Sequence, residues 1–156
     1  MTIKYSRGIE KTKQWLQKDY TSDHYRGIWI HGPPNTGKTS SILQAFPDQS
    51  IYYKGQDKWF CGYEGEKIIV LDEFVPDKDL LSREIKIWTD KFPVRAEVKG
   101  GSTKLQHDWF IITSNWSPGE IYGYEPRIMS ALERRIKVIK SEEGKQTVIF
   151  PEKGTL

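Results

Sequence analysis

Residues 32–39 read Gly-Pro-Pro-Asn-Thr-Gly-Lys-Thr and match in full the phosphate-binding loop pattern G-x-x-x-x-G-K-[ST]. An apolar run at 27–30 precedes the loop, and a helix-compatible run at 40–46 follows it and stops before a proline. Gly32 and Gly37 would let successive backbone N–H groups point into one concavity at a helix N-terminus. The alternative is an ordinary glycine-rich turn, but the flanking strand and helix favour a nucleotide site.

The same loop assigns roles to its own side chains. Lys38 would reach the β- and γ-phosphates, and the hydroxyl of Thr39 would ligate Mg²⁺. The predicted nucleotide-binding residues are the whole loop and the residue after it: Gly32, Pro33, Pro34, Asn35, Thr36, Gly37, Lys38, Thr39 and Ser40.

Composition sets the limits for the rest of the interpretation. A chain of 156 residues predicts one domain, and a net charge of +3 permits a polyanionic partner without requiring one. The sequence has neither an apolar run of membrane-spanning length nor the apolar core of a signal peptide, so no membrane partner is expected. Cys61, the single cysteine, excludes an internal disulfide and a cysteine-built zinc site. We expect a soluble protein of a reducing compartment, with Cys61 half-buried.

The order of predicted elements indicates an α/β fold. Strands are predicted at 27–31, 50–53, 68–71, 110–113 and 136–139, with helices after the phosphate loop, at 78–91 and from 126. This alternation predicts the parallel sheet of a P-loop NTPase with flanking helices and right-handed crossovers. A β-hairpin of 94–98 and 103–107 around a glycine turn is inserted, an amphipathic helix is predicted at 7–19, and a last strand at 147–150. In the helix at 78–91 the apolar stripe runs from Leu81 to Phe92.

Two acidic residues follow the most apolar strand of the chain. Asp72 would hold Mg²⁺ through water, and Glu73 would orient and deprotonate an attacking water. An acid pair at the surface end of a buried strand is common, but this one lies 33 residues after Thr39 with one strand between, where such a pair belongs. The pair also favours hydrolysis over a kinase-like transfer.

A second apolar strand ends in the polar triplet Thr113-Ser114-Asn115. Ligands bind at the carboxyl ends of strands in open α/β sheets, so Asn115 could hydrogen-bond a γ-phosphate or the lytic water; it could also be a turn residue. Arg134 and Arg135 lie where a helix meets a strand. They could complement the helix dipole, or one of them could reach the γ-phosphate in a neighbouring subunit.

The predicted hairpin carries basic residues beside its glycine tip. Lys99 and Lys104 could simply keep an exposed edge soluble. With Gly100 at the tip, they could also contact the backbone of single-stranded nucleic acid. None of the three histidines is paired at metal-ligand spacing, so no metal beyond Mg²⁺ is expected.

Taken in order, these motifs resemble the superfamily 3 helicase/ATPase domain of replication-associated (Rep) proteins of circular single-stranded DNA viruses of the circovirus type. The resemblance covers about residues 25–140. It depends on the segments 32–39, 58–66, 68–74 (Ile-Ile-Val-Leu-Asp-Glu-Phe), 98–103 (Val-Lys-Gly-Gly-Ser-Thr), 111–115 (Ile-Ile-Thr-Ser-Asn) and 131–136 (Ala-Leu-Glu-Arg-Arg-Ile).

The resemblance implies an AAA+-like fold that forms hexameric rings, binds ATP with Mg²⁺ between subunits and moves along single-stranded DNA from 3′ to 5′. It implies a host nuclear location. Carried over residue by residue, it implies catalytic roles for Lys38, Glu73 and the sensor-like Asn115, Mg²⁺ ligation by Thr39 and Asp72, DNA contacts from Lys99, Gly100 and Lys104, and an arginine finger at Arg135, with Arg134 as the second candidate.

The resemblance also implies a domain division. Residues 1–24 would be a short helical remnant of an oligomerisation region, and residues 25–156 the helicase ATPase domain. A complete Rep also nicks DNA through a His-hydrophobic-His motif and a tyrosine; that motif is not in this sequence, so we expect an excised helicase domain without nicking activity. Two alternatives stay open: a P-loop small-molecule kinase, and a nucleotide-dependent DNA-binding or assembly module with little turnover.

Overall fold

The computed structural model describes residues 19–142, and within them the chain forms one five-stranded parallel sheet. The strands lie in the order β2-β3-β6-β1-β7. They are β1 (Gly27–His31), β2 (Ile51–Lys54), β3 (Ile68–Phe74), β6 (Trp109–Ser114) and β7 (Ile136–Lys140). A separate antiparallel hairpin consists of β4 (Arg95–Val98) and β5 (Gly101–Lys104).

Four helices connect the strands. They are α1 (Lys38–Ala45), α2 (Ser82–Thr89), α3 (Pro118–Tyr122) and α4 (Pro126–Arg135). The predicted α/β class, the parallel sheet with flanking helices and the inserted hairpin are confirmed. The proline at the first position of α3 and of α4 suits a helix start, because its missing N–H would have no partner there.

Alternation along the buried strands divides the core into two layers. Ile28 and Ile30 of β1 point to the face covered by α1, where they pack with Ile42. Trp29, between them in sequence, points to the opposite face and joins a larger cluster that includes Trp88 of α2. Both faces of β1, β3 and β6 are therefore covered, and this explains their continuous apolar sequences.

The strand order decides where the polar residues meet. All five strands are parallel, so their carboxyl ends lie along one edge of the sheet. Because β6 lies between β1 and β3, its last residues lie between the segment that follows β1 and the end of β3. The phosphate loop, the acid pair and Asn115 are therefore neighbours.

Some predicted bounds are wrong, for local reasons. The helix predicted at 78–91 is α2, Ser82–Thr89: Leu81 before it has φ 49°, and Asp90 after it is extended. Phe92, predicted on its buried stripe, is 62% exposed. The hairpin turn is tighter than predicted: Val98 pairs with Gly101, so the second strand is Gly101–Lys104 and not 103–107. The helix predicted at 7–19 and the strand predicted at 147–150 fall essentially outside the described residues.

Candidate functional site

A cleft of about 500 Å³ opens at the carboxyl edge of the sheet. It is lined by residues 34–40, 72–75 and 113–116. Most of the predicted nucleotide residues, both acids and Asn115 therefore share one cleft. Gly32, Pro33 and the two arginines Arg134 and Arg135 are not among its lining residues.

The first wall of the cleft is the N-terminus of α1. Its N-cap, Gly37, has φ 80° and supplies no side-chain cap. Asn35 also has a left-handed φ, of 62°. A helix N-terminus without a side-chain acceptor leaves backbone N–H groups available to an anion, and the helix dipole favours negative charge there. The loop can therefore hold phosphate, as the motif predicts.

Lys38 lies folded against its own loop. Its Nζ donates to the carbonyl oxygens of Gly32, at 2.9 Å, and Pro33, at 2.7 Å. Desolvation lowers the pKa of the Lys38 ammonium, and the nearby carboxylates of Asp72 and Glu73 oppose that shift. Carbonyl oxygens are weaker partners for an ammonium than phosphate oxygens, so an incoming polyphosphate can take Lys38 from them.

Two residues of the cleft could hold a divalent cation: Thr39, which follows Lys38 in the loop, and Asp72. The Thr39 hydroxyl donates to Asp72 Oδ1 at 3.2 Å, so the two oxygens lie close enough together to contact one cation. Mg²⁺ prefers oxygen ligands and is commonly held by one or two protein oxygens, with water and phosphate completing its shell. The hydroxyl and carboxylate present fit Mg²⁺ on that chemistry.

Glu73 is exposed at the mouth of the cleft, and its backbone is unusual. Its φ is 55°, a left-handed conformation that side chains other than glycine adopt at a cost. The pairing of β3 with β6 shifts register between Leu71 and Phe74, around the acid pair. The bulge thus directs Glu73 out of the regular strand alternation and into the cleft, where it can act on a water.

Asn115 is exposed just after β6, and hydrogen bonds of its neighbours Ser114 and Trp116 hold its loop in place. Trp116 N donates to Ser114 Oγ at 3.0 Å, and Ser114 Oγ donates to the carbonyl of Phe74 at 2.8 Å. The indole Nε1–H of buried Trp29 donates to the carbonyl of Trp116 at 2.9 Å. The loop that carries Asn115 is therefore bonded both to the acid strand and to the strand before the phosphate loop.

A second support for the phosphate loop was missed by sequence reasoning. Ser141, 2% exposed just after β7, lies against Thr36, with Oγ 2.7 Å from Thr36 Oγ1 and 2.9 Å from the Thr36 carbonyl. A Cβ on Gly32 would approach the Ser141 carbonyl to 2.2 Å, so Gly32 is also required by close packing. A lone serine after a predicted strand gives no signal for such a contact, which joins residues 105 positions apart.

The two arginines differ sharply in exposure. Arg135 is 7% exposed; its Nε donates to Asp90 Oδ2 at 3.0 Å and its guanidinium donates to the Ala131 carbonyl at 2.6 Å. Arg134 is exposed at the same helix end. The structure therefore buries Arg135 within the chain, where it joins α4 to the residue after α2, and leaves Arg134 exposed.

The hairpin packs against the irregular segment between β2 and β3. Trp59 forms a parallel bridge with Glu97, and Phe60 N donates to the Glu97 carbonyl at 2.9 Å. Lys99 Nζ lies 3.8 Å from the centre of the Trp59 ring, and Lys58 Nζ lies 4.8 Å from it. We call Lys58, Trp59, Lys99 and Gly100 the hairpin surface: a half-exposed indole near two cations, beside an exposed glycine turn. One of the cations, Lys58, also pairs with Glu97 at 3.2 Å.

Lys104 and Cys61, two further residues in or beside the hairpin, have environments that the sequence did not predict. Lys104 is half-buried and pairs with Asp19 at 3.1 Å, so it is engaged within the chain. Cys61 is exposed, so the expectation that it is half-buried is wrong. The cysteine lies outside the core because Phe60, its neighbour, takes the buried position, and its Sγ accepts from Lys99 N at 3.4 Å.

Residues 19–142 contain neither a cluster of metal-ligating side chains nor a candidate membrane span. In that range no group of three or more histidine, cysteine or acidic side chains could hold a metal ion. In the same range no helix is both long enough and apolar enough to cross a membrane.

Comparison with known proteins adds the family. A family model described as RNA helicase matches residues 28–116. The replication-associated protein of goose circovirus is 35% identical over 137 residues, which are 86% of this chain and 44% of that protein. That of porcine circovirus 1 is 34% identical over 79% of this chain and 40% of its own length, and that of human associated cyclovirus 1 is 29% identical over 87% and 50%.

The matches cover the cleft residues from the phosphate loop to Asn115, and they confirm the predicted resemblance to the helicase domain of circovirus replication-associated proteins. This chain spans half or less of the length of these relatives, between 40% and 50%.

Proposed function

This chain belongs to the RNA helicase family, and on that premise we propose that it is the ATP-hydrolysing helicase domain of a viral replication protein, acting on single-stranded DNA. The observation that carries the proposal is the single cleft that gathers the phosphate loop, the acid pair and Asn115. The family match and the replication-associated relatives support a helicase-like role in replication.

Binding of ATP follows from the phosphate loop. The N–H groups at the start of α1 would receive the phosphates, and Lys38 would leave the Gly32 and Pro33 carbonyls to contact them. Mg²⁺, held through Thr39 and Asp72, would supply charge neutralisation at the phosphates. Lys38, Thr39 and Asp72 already line the same cleft, so binding would require only local side-chain movement.

Hydrolysis requires a base and an orienting group. Glu73, directed into the cleft by its left-handed backbone, would accept the proton of the attacking water. Asn115, beside it at the end of β6, would hydrogen-bond the water or the γ-phosphate. Lys38 would contribute hydrogen bonds to the phosphates in place of those it now donates to the Gly32 and Pro33 carbonyls.

The hairpin surface supports the choice of a single-stranded polymer. The Trp59 indole offers a surface for base stacking, and Lys99 beside it offers attraction to phosphate; proteins bind single strands without sequence preference through these two interactions. Lys58, paired with Glu97 at 3.2 Å, would contribute less. Lys99 and Gly100 at the exposed turn would approach the backbone. Lys104, bonded to Asp19, would contribute less.

A site shared between subunits completes the proposal. The cleft's lining includes no arginine, and an arginine that stabilises the transferring phosphate can come from a neighbour. We assign that role to Arg134, because Arg135 is buried against Asp90. A closed ring, with six subunits as the family resemblance suggests, would bring Arg134 of one subunit to the cleft of the next.

The experiment is steady-state phosphate release from ATP, without nucleic acid and with single-stranded DNA, single-stranded RNA or duplex DNA. We expect ATP hydrolysis that single-stranded DNA stimulates. The Lys38→Ala variant, which should not hydrolyse ATP, is the negative control. Stimulation by RNA alone would contradict the assigned polymer. Phosphate transfer to a nucleoside or another small acceptor would identify a kinase, and tight nucleotide binding without turnover would identify an assembly module.

A further inference from the structure

Thr113 is a buried polar residue that touches both acids of the cleft. It lies near the end of β6 and is 1% exposed. Its hydroxyl donates to Asp72 Oδ1 at 2.5 Å and accepts from the backbone N–H of Glu73 at 3.0 Å. A threonine hydroxyl has one proton to donate, and that proton is committed to Asp72.

The bond to Glu73 occurs where the backbone departs from regular strand geometry. Glu73 has φ 55°, and the pairing of β3 with β6 shifts register across this position. A left-handed residue that is not glycine persists only where its surroundings hold it. Here the hydroxyl of Thr113 receives the Glu73 N–H, and the next hydroxyl along β6, Ser114 Oγ, donates to the Phe74 carbonyl at 2.8 Å.

The bond to Asp72 acts on the other acid. Asp72 Oδ1 accepts from Thr113 and also, at 3.2 Å, from Thr39. Two donors, one on a strand and one on a helix, restrict the Asp72 carboxylate to one orientation. The Thr113 donor comes from β6 and the Thr39 donor from α1, so the carboxylate is aligned between the central strand and the phosphate-loop helix.

We propose that Thr113 is a positioning residue that sets both acids at once: its donated proton orients Asp72 towards the divalent cation, and its lone pair holds the Glu73 backbone so that the carboxylate reaches the attacking water. The inference rests on the proposed hydrolytic function and deepens it. Thr113 would act through the two acids, to which its hydroxyl is bonded, and not on the substrate or the water directly.

The competing explanation is that the hydroxyl only stabilises the fold. Thr113→Val keeps the shape and removes both bonds, whereas Thr113→Ser keeps the hydroxyl. Thr89→Val is the matched control, because Thr89 is also fully buried and its hydroxyl bonds to the Ile85 carbonyl at 2.7 Å, within α2. A general loss of stability would appear in both valine variants.

The first readout needs no nucleotide: hydrogen exchange of the Glu73 amide in the free protein. Thr113→Val should raise its exchange rate about tenfold or more relative to wild type, because the amide loses its acceptor. Thr113→Ser and Thr89→Val should stay close to the wild-type rate. An unchanged rate in Thr113→Val overturns the proposal. If that variant shows no cooperative melt, Thr113→Ala is measured instead with the same expectation.

The second readout is the dependence of hydrolysis on Mg²⁺ and ATP. Thr113→Val should lower kcat about tenfold and raise the Mg²⁺ needed for half-maximal rate, with KM for ATP within about twofold, and Thr113→Ser should restore all three. Equal kcat in wild type and Thr113→Val overturns the inference and leaves the proposed function intact. Absence of hydrolysis in wild type overturns the proposed function, and the amide exchange then still tests Thr113.

Discussion

The cleft and the hairpin surface are constructed in different ways. In the cleft, three parallel strands end side by side, and hydrogen bonds such as Thr39 to Asp72 join segments that are far apart in sequence. At the hairpin surface, a two-stranded hairpin outside the main sheet is joined to an irregular segment through Glu97, which bridges to Trp59, accepts from Phe60 N and pairs with Lys58. Cations near the Trp59 ring add to these contacts.

The two constructions suit different demands on rigidity. Bonds of fixed geometry suit a cleft where a water, a carboxylate and a phosphate must be aligned to within a fraction of an ångström. Contacts between an ammonium and a ring face tolerate movement, and they suit a surface that must exchange one nucleotide for the next. The following predictions test that contrast.

The largest expected effect concerns the arginine pair. Arg134→Ala should lower ATP hydrolysis by about 10³-fold, because the transition-state charge loses its cation, while the free energy of unfolding changes by less than about 0.5 kcal/mol. Arg135→Ala should instead lower the free energy of unfolding by about 3 kcal/mol, since Asp90 loses its buried partner. Hydrolysis rates and urea titrations of both variants check this.

A mixing experiment separates a neighbour's arginine from one in the same subunit. Lys38→Ala protein has an intact Arg134 and Arg134→Ala protein has an intact cleft, so a mixture should recover part of the activity that each lacks alone. No recovery, together with inactive Arg134→Ala, would place the arginine within its own subunit. Activity lost in Arg135→Ala without loss of stability would restore Arg135 as the better candidate.

The next effect tests the hairpin surface alone. Trp59→Ala should weaken binding of single-stranded DNA about tenfold to a hundredfold, because a stacked base is lost, and should leave the affinity for a fluorescent ATP analogue unchanged. Tyr124→Ala is the control, since Tyr124 is an aromatic residue exposed to 70% at the turn between α3 and α4. Fluorescence anisotropy measures both. Equal DNA affinity in wild type and Trp59→Ala would remove the indole from the DNA site.

The smallest effect tests the base of the hairpin, where His107 is fully buried. Its Nε2 bonds to the Trp88 carbonyl at 2.7 Å and its Nδ1 faces the Arg26 guanidinium at 3.5 Å, so the imidazole is neutral with its proton on Nε2. Burial, together with the Arg26 charge, lowers the pKa of His107 to about 3.

The unfolded chain therefore binds a proton at this residue near pH 6.5, before the folded chain does. The stability should fall as the pH drops from about 6.5 to about 3, with a contribution of up to about 1.4 kcal/mol per pH unit from this group. Urea titrations between pH 7 and 5 should show a shallower dependence in His107→Gln. Parallel curves for the two proteins would mean that His107 is not neutral in the folded state.

The parts of the fold that follow short local patterns could be predicted from sequence. Continuous apolar runs gave the buried strands, and their polar ends gave Asp72, Glu73 and Asn115 as neighbours once the sheet was taken as parallel. The bounds of α2 could not be predicted, because they depend on a left-handed Leu81 that periodicity does not reveal.

The rest depends on contacts between distant segments. Nothing about Thr113 or Ser141 in the sequence shows that their hydroxyls bond to residues 41 and 105 positions away. Similarly, Arg134 and Arg135 are adjacent and chemically identical, and only the packing of α4 against Asp90 buries one and exposes the other. Side-chain environments of this kind are decided by tertiary packing and not by local pattern.

In the proposed function Glu73 is the base of a nucleotide-hydrolysing cleft, and the substitution Glu73→Gln probes that role alone. Glutamine keeps the shape of the side chain and cannot accept the proton of the attacking water. The measurement is kcat for ATP with saturating single-stranded DNA, beside the affinity for an ATP analogue. The account predicts that kcat falls by at least about 10²-fold while the affinity stays within about twofold. Hydrolysis by Glu73→Gln at the wild-type rate would contradict it.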